Sequence, residues 1–329
     1  MEKKHENKNR YNKKIDRTRP DQVQISVVIP LLNEEESLKE LSKKLAIHLK
    51  DSAGDQWEVI FIDDGSTDNS FRILKEINKT DKRYRAVRFR RNYGKAAALQ
   101  IGFNKARGNV IITMDADLQD DPAEIKNLVA KLKDGYDLVS GWKKKRYDPI
   151  SKTFPSRIFN SMVSTATGIK LHDFNCGLKG YRKEAAKSLN LYGEMHRFTP
   201  ALAHHDGFKV TEIVVQHHPR KYGASKFGPY RMVKGFLDLI TVTFLTRFMK
   251  KPMHFFGALG ILLILAGTGL DLYLSIEWVL GNTYLNNRPL LFLGIVLIIV
   301  GVQSVSMGLI GEMMVKNTEK KIYSIREYL

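Results

Sequence analysis

Two stretches near the C-terminus restrict this chain more than any other feature. Residues 255 to 276, FFGALGILLILAGTGLDLYLSI, run for 22 positions with one charge, and residues 289 to 311, PLLFLGIVLIIVGVQSVSMGLIG, run for 23 with none. A helix rises about 1.5 Å per residue, so either stretch covers the ~30 Å hydrocarbon core of a bilayer. Each reads as a transmembrane helix. Arg247, Lys250 and Lys251 precede the pair, Lys316, Lys320 and Lys321 follow it, and the connecting loop holds only Arg288. The positive-inside rule then puts both flanks, and both termini, on the cytoplasmic side of a plasma (inner) membrane. Residues 229 to 252 repeat apolar side chains at helical spacing between basic ends. That is the pattern of an amphipathic helix lying in the membrane interface, although core packing produces the same period.

Upstream the pattern changes. From residue 24, short β-branched runs (ISVVIP, WEVIFID, RAVRFR, NVIITMD, YDLVSG) alternate with amphipathic stretches at 35–50, 69–79, 95–107 and 122–134. Strands alternating with helices predict an α/β domain with a largely parallel sheet covered on both faces. Residues 1 to 22 hold eight Lys and Arg and almost no aliphatic side chain, so they read as a basic flexible tail. The expected order is a tail at 1–22, an α/β domain at 23–228, an interfacial helix at 229–252, two spans within 253–312 and a cytoplasmic C-terminal tail at 313–329.

Fifty-three Lys and Arg against 35 Asp and Glu leave a formal charge of +18. Such an excess calls for an anionic partner, whether nucleic acid, acidic lipid or a phosphorylated substrate. The aromatic residues do not interleave with the basic runs as base-stacking platforms would, which argues against nucleic acid. A single cysteine, Cys176, cannot form an internal disulfide and fits a reducing compartment.

In an open α/β sheet, ligands bind beyond the carboxyl ends of the strands. Those positions here are Pro30–Glu34, Asp63–Asp68, Arg90–Lys95 and Asp115–Asp121. Asp115 and Asp117, two apart at a strand end, would project to the same side, close enough to share a hard divalent cation. The same segment also reads as a helix start, with Asp121 as N-cap and Pro122 at the first helical position. Asp63 to Asp68 reads equally as a turn and cap.

VVIPLLNEEESL at 27–38, FIDDGSTDNS at 61–70, FRRNYGKAAAL at 89–99 and TMDADLQDDP at 113–122 occur in an order that resembles the family 2 glycosyltransferases. CGLKGYRKEA at 176–185, HRFTPALA at 196–203 and VVQHHPRKYGASKFG at 214–228 resemble their polyprenyl-phosphate branch more narrowly. The resemblance implies a GT-A fold, a Rossmann-like and mostly parallel catalytic domain, followed by the interfacial helix and two spans. It implies that Pro30, Asn33, Glu34, Asp63, Asp64, Lys95, Asp115, Ala116, Arg220 and Lys226 bind a nucleotide sugar. Asp115, Asp117 and Gln119 would hold Mg²⁺ or Mn²⁺ across the diphosphate. Lys143, Arg157 and Ser161 would bind the lipid phosphate, with Asp117, Arg157 and Asp173 carrying catalysis. Relatives often have Arg where this chain has Lys143, so a bidentate phosphate contact is not expected there.

The reaction implied by the resemblance is an inverting transfer from a nucleotide sugar, UDP-hexose or GDP-mannose, to a polyprenyl phosphate such as undecaprenyl phosphate, for cell-envelope glycan modification. A homo-oligomer formed through the spans is also implied. A membrane glycosyltransferase with another acceptor and a catalytically silent scaffold are the competing readings. His196, His204, His205, His217 and His218 accompany no thiolate or carboxylate set at zinc-site spacing.

Overall fold

The computed structural model describes residues 23–144, 160, 163–165, 167–219, 221–222, 252–282, 284 and 289–317. It divides into two compact units, Met1–Val242 and Thr243–Leu329. The basic tail, the amphipathic segment up to Lys251, and Arg157, Ser161, Arg220 and Lys226 lie outside the described residues.

The first unit is built on a seven-stranded sheet. Its strands are β1 (Ile25–Leu31), β2 (Trp57–Asp63), β3 (Tyr84–Arg88), β4 (Val110–Thr113), β5 (Leu138–Trp142), β6 (Lys179–Arg182) and β7 (Val210–Val214), in the order β3-β2-β1-β4-β6-β5-β7. The pairs β1/β2, β1/β4, β2/β3 and β5/β7 are parallel, while β6 runs antiparallel to β4 and β5. The mostly parallel α/β sheet expected from the alternation is therefore present. Every residue of β1 and β2 is buried, which explains why both strands read as continuous apolar runs.

Helices α1 (Leu38–Ala53), α2 (Ser70–Thr80), α3 (Lys95–Lys105), α4 (Ile125–Lys133), α5 (Lys183–Ser188) and α6 (Thr199–His205) accompany the sheet, with short 3-10 turns at Pro122–Glu124 and Met195–Arg197. Leu38, Leu41, Leu45 and Leu49 recur on one face of α1 and are fully buried. Truncating one such leucine to alanine costs about 2–5 kcal/mol. Helix α3 packs through Ala96, Ala98, Leu99, Gly102 and Phe103. A Cβ at Gly102 would overlap the Val28 side chain, so glycine lets α3 lie directly on β1.

Strand register decides what meets at the carboxyl edge. Leu31 pairs with Asp63 and Asp63 with Arg88, while Val28 pairs with Thr113. Lys179 is the first residue of the antiparallel β6 and pairs with both Thr113 and Ser140. The segment entering β6 therefore crosses the edge at which β4 and β5 end.

The second unit contains α7 (Pro252–Val279) and α8 (Pro289–Asn317). Mean hydropathy is 2.0 for α7 and 2.5 over Pro289–Met314, and only 17% and 11% of their most apolar windows are buried. Both helices are long and apolar enough to cross a membrane, and most of that apolar surface faces outward. They pack where glycines face each other: a Cβ at Gly260 would come within 2.6 Å of the Gly301 carbonyl oxygen, and one at Gly301 within 2.7 Å of the Gly260 carbonyl. Asp271, the single charge in the first span, lies against Gly294.

Candidate active site

The acidic loop leaves β4 after Thr113, so Asp115 and Asp117 are not strand residues. Strand pleat therefore does not set the direction of their side chains. The chain instead bends at 116–118, with Leu118 at φ 61, and cross-links set the geometry. The Gln119 amide donates to Asp117 Oδ1 (3.2 Å) and the Asp115 amide to Asp120 Oδ2 (3.4 Å). Asp120 forms a bridge with His217, and the His218 amide donates to the Gln119 carbonyl (2.9 Å). Asp121 accepts from the Ala123 amide (2.9 Å) ahead of Pro122, so the N-cap is present as well.

Two lysines flank this loop. Lys95, first residue of α3, places Nζ 2.5 Å from Asp115 Oδ1. Burial pushes the Asp115 carboxyl upward, but the Lys95 ammonium outweighs it and holds the pKa down at about 2. Lys143, immediately after β5, lies 2.9 Å from Asp120 Oδ1. Burial alone would lower its pKa, yet the Asp120 carboxylate reverses this and raises it, so the ammonium keeps its charge.

The donor set suits a hard cation, because two carboxylates and an amide carbonyl are oxygen ligands. Among the described residues no three of His, Cys, Asp and Glu converge on one point. The pair would therefore supply two ligands, leaving other positions to substrate phosphates and water, as Mg²⁺ sites commonly do. Both Asp115 oxygens have close neighbours. Gly177 lies so close to Asp115 that a Cβ would sit 2.5 Å from Oδ2, and an ammonium already occupies the neighbourhood of the other oxygen.

The β1–β2–β3 side of the sheet edge is held by side chain to backbone bonds. Asp63 is fully buried, its Oδ1 accepts from the Ser66 amide (2.8 Å), and Arg88 Nε lies 3.3 Å from Oδ2. Asp64 accepts from the amides of Tyr93 (2.7 Å) and Gly94 (2.9 Å), which fixes the turn into α3. Asn33 has φ 54, and its Oδ1 accepts from the Thr67 amide (2.8 Å). The Glu34 amide donates to Ser70 Oγ (2.9 Å). Gly65, at φ 80, is so close to Arg91 that a Cβ would come within 2.6 Å of its carbonyl carbon. Turn-forming and cap roles are thus real for this segment.

A family model described as "Glycosyl transferase family 2" matches residues 26–189. Among curated proteins, the dodecaprenyl-phosphate galacturonate synthase of Rhizobium johnstonii is 39% identical over 300 residues, covering 89% of this chain and 88% of that protein. The undecaprenyl-phosphate 4-deoxy-4-formamido-L-arabinose transferase of Edwardsiella ictaluri is 36% identical over 289 residues, with 88% and 87% covered. The chain belongs to glycosyl transferase family 2. Among solved structures, glucosyl-3-phosphoglycerate synthase from Mycobacterium tuberculosis, in complex with Mn²⁺, UDP and phosphoglyceric acid, superposes with a TM-score of 0.53. Its identity is 18%, covering 70% of this chain and 84% of that one. That likeness establishes the GT-A fold of the family 2 domain.

For this glycosyltransferase the sheet edge brings Pro30, Lys95 and Asp115 to one cavity, with Thr113 and Asn175–Gly177 also lining it. Ala116, Asp117 and Gln119 follow on the same loop. Asp173 is buried; its Oδ1 accepts from the Asn175 amide (3.1 Å) and its carbonyl accepts from Ser140 Oγ (3.2 Å). It shapes the loop that reaches Gly177. Lys179 and His196 also line this cavity, although the sequence does not mark the first and offers the second only as a zinc candidate. Both lie in segments that carry the family resemblance, but KGYR lacks the apolar alternation that announces a buried strand. Cys176 also lines the cavity; burial pushes its thiol up to about 12, so it offers no thiolate.

Proposed function

We propose that the protein transfers a sugar from a nucleotide sugar to a polyprenyl phosphate at the cytoplasmic face of the inner membrane. One observation carries the reading: an acidic loop flanked by Lys95 and Lys143 stands at the carboxyl edge of the sheet in a chain that also has two membrane-length helices. The curated relatives cover nearly the whole chain, and their names specify dodecaprenyl or undecaprenyl phosphate. One names galacturonate, which carries a carboxylate, and the other a formamido-arabinose, which does not. The solved relative is named with Mn²⁺ and UDP, which supports a divalent cation and a uridine donor as the chemistry of the site.

The division of labour comes from charge. A phosphate monoester with a second pKa near ~6 is mostly dianionic at neutral pH and needs little activation as a nucleophile. The site's task is to align two anions that repel each other. Asp115, Asp117 and Gln119 would hold Mg²⁺ or Mn²⁺, which when bound stabilises the leaving diphosphate as a Lewis acid. Pro30, Asn33, Glu34, Asp63 and Asp64 shape the nucleoside end, and Lys95 adds positive charge beside Ala116. Arg157 and Ser161 take the lipid phosphate. Lys143, turned onto Asp120, contributes mainly by its field. His218 contacts the acidic loop two residues before Arg220, which supports Arg220 and Lys226 as donor-phosphate ligands. Asp173 orders the acceptor side. The chain divides functionally at 23–228, 229–252 and 253–312, and its spans associate into a homo-oligomer.

The displacement is in-line, with the lipid phosphate oxygen bonding to the anomeric carbon as the nucleoside diphosphate leaves. The test is the product. An α-linked nucleotide sugar should give a β-linked lipid phosphate sugar by NMR, with undecaprenyl phosphate accepting and undecaprenol not. An α-linked product, or equal transfer to undecaprenol, would overturn the mechanism or the acceptor respectively.

A further inference from the structure

Beside the acidic loop a narrow cleft, with enclosed room for about one water, reaches β1, β4, β6 and α3. Its walls include Lys95, Asp115, Cys176, Lys179, Tyr181 and His196. Their charges do not balance. Lys95 and Asp115 satisfy each other at 2.5 Å. The Tyr181 hydroxyl is engaged with Thr199 Oγ1 (3.1 Å). Lys179 is 3% exposed and donates to the Cys176 carbonyl oxygen at 2.5 Å. An ammonium has three donors, and among the described residues no second acceptor engages this one. Burial acts on it most strongly; Cys176, Asp173 and Asp115 attract it and Lys95 repels it. His196 adds a buried Nδ1 that has no hydrogen-bond partner among the described residues.

A desolvated ammonium with one neutral acceptor is costly to keep, and the cost is offset when an anion arrives. Burial draws the Lys179 pKa down to about 8, so at neutral pH most of the population is still charged. Burial also lowers the His196 imidazole well below its ordinary value, leaving it neutral, with one N–H to donate. An ammonium with two free N–H bonds and an adjacent imidazole match the two oxygens of a carboxylate.

We infer that Lys179, with His196 beside it, is a specificity-determining residue that receives a carboxylate on the transferred sugar, so that the donor is a nucleotide-activated uronic acid. This rests on the reading of the protein as a nucleotide-sugar transferase and narrows its substrate class.

The experiment is equilibrium binding to the purified full-length protein. The ligands are UDP, GDP and three pairs matched except at C6: UDP-galactose and UDP-galacturonate, UDP-glucose and UDP-glucuronate, GDP-mannose and GDP-mannuronate. In at least one pair the uronate should bind about tenfold or more tightly, as expected of a desolvated charge-assisted contact. Lys179→Met should remove the preference, and Lys179→Arg should retain most of it. No preference in any pair of the wild type overturns the inference even if Lys179→Met does not fold. A Lys179→Met loss that is as large for the free diphosphates as for the uronates also overturns it, by assigning the ammonium to the diphosphate. If no nucleotide or nucleotide sugar binds, the proposed transferase function falls and this inference with it.

Discussion

Lys95 Nζ lies 2.5 Å from Asp115 Oδ1, so the first carboxylate of the acidic loop already carries a counter-charge before any cation arrives. A divalent ion held there, as proposed, would have to compete with that ammonium. Lys95→Met should therefore bind Mn²⁺ more tightly in the absence of donor, by about tenfold, as removal of a neighbouring like charge would give. Electron paramagnetic resonance titration of free Mn²⁺ measures this directly. Weaker Mn²⁺ binding in the variant would show that Lys95 positions Asp115 for the metal instead of competing with it.

Gly177 tests the same carboxylate from the other side. An alanine Cβ would approach Asp115 Oδ2 to 2.5 Å, closer than any relaxed contact, and one of the two groups must move. Gly177→Ala should lower transfer by at least about tenfold, the scale of a displaced charge-stabilising group. Thermal unfolding should change far less than activity. Equal activity would mean that Asp115 can move without consequence.

Glu58 makes a stability prediction far from the chemistry. It is fully buried and accepts from Ser26 Oγ (2.7 Å), the Arg107 amide (2.9 Å), Arg85 Nη1 (2.7 Å) and Arg107 Nε (3.0 Å). Burial raises its pKa, but the bonds from Ser26, Arg107 and Arg85 outweigh burial and leave it lowered. A carboxylate lowered in the folded state stabilises above its unfolded pKa and loses that contribution as pH falls through the folded value. Glu58→Gln should cost about 3 kcal/mol at pH 7, as breaking a buried ion pair does. The gap from wild type should narrow as pH drops below about 4, near the unfolded glutamate pKa. Chemical denaturation across pH 3 to 7 gives the comparison, and a gap independent of pH would refute it.

Lys179 behaves in the opposite sense. Burial lowers its pKa to about 8, so between there and its unfolded value the unfolded chain binds more protons than the folded one. Stability must then rise with pH across that window. Lys179→Met should melt at a higher temperature than wild type at pH 7, with a gain of up to about 3 kcal/mol from the relieved burial of charge. The advantage should shrink as pH approaches 10. A variant less stable at pH 7 would show that the ammonium is well accommodated in the fold.

Much of the fold was legible in the sequence because local signals agreed with it. ISVVIP and WEVIFID are apolar throughout and became β1 and β2, buried on both faces. Leucines at helical spacing located α1, and Asp121–Pro122 located the turn before α4. Strand β6 was not legible: KGYR has two cations in four residues, and its place in the sheet comes from β4 and β5 on either side. The same hidden pairing brings Lys179 to the site edge. The pleat argument for Asp115 and Asp117 does not hold, since both lie beyond β4 and bonds involving Gln119, Asp120 and His218 shape their loop.

The most direct test of the proposed transfer is to follow labelled sugar from a panel of UDP- and GDP-sugars to undecaprenyl phosphate with the purified protein and Mg²⁺ or Mn²⁺, with Asp117→Ala in parallel. Metal-dependent label is expected in the lipid fraction, reduced about a hundredfold or more in the variant, the scale set by losing a transition-state charge stabiliser. Consumption of a nucleotide sugar without any label in lipid, or a variant as active as wild type, would contradict the proposal.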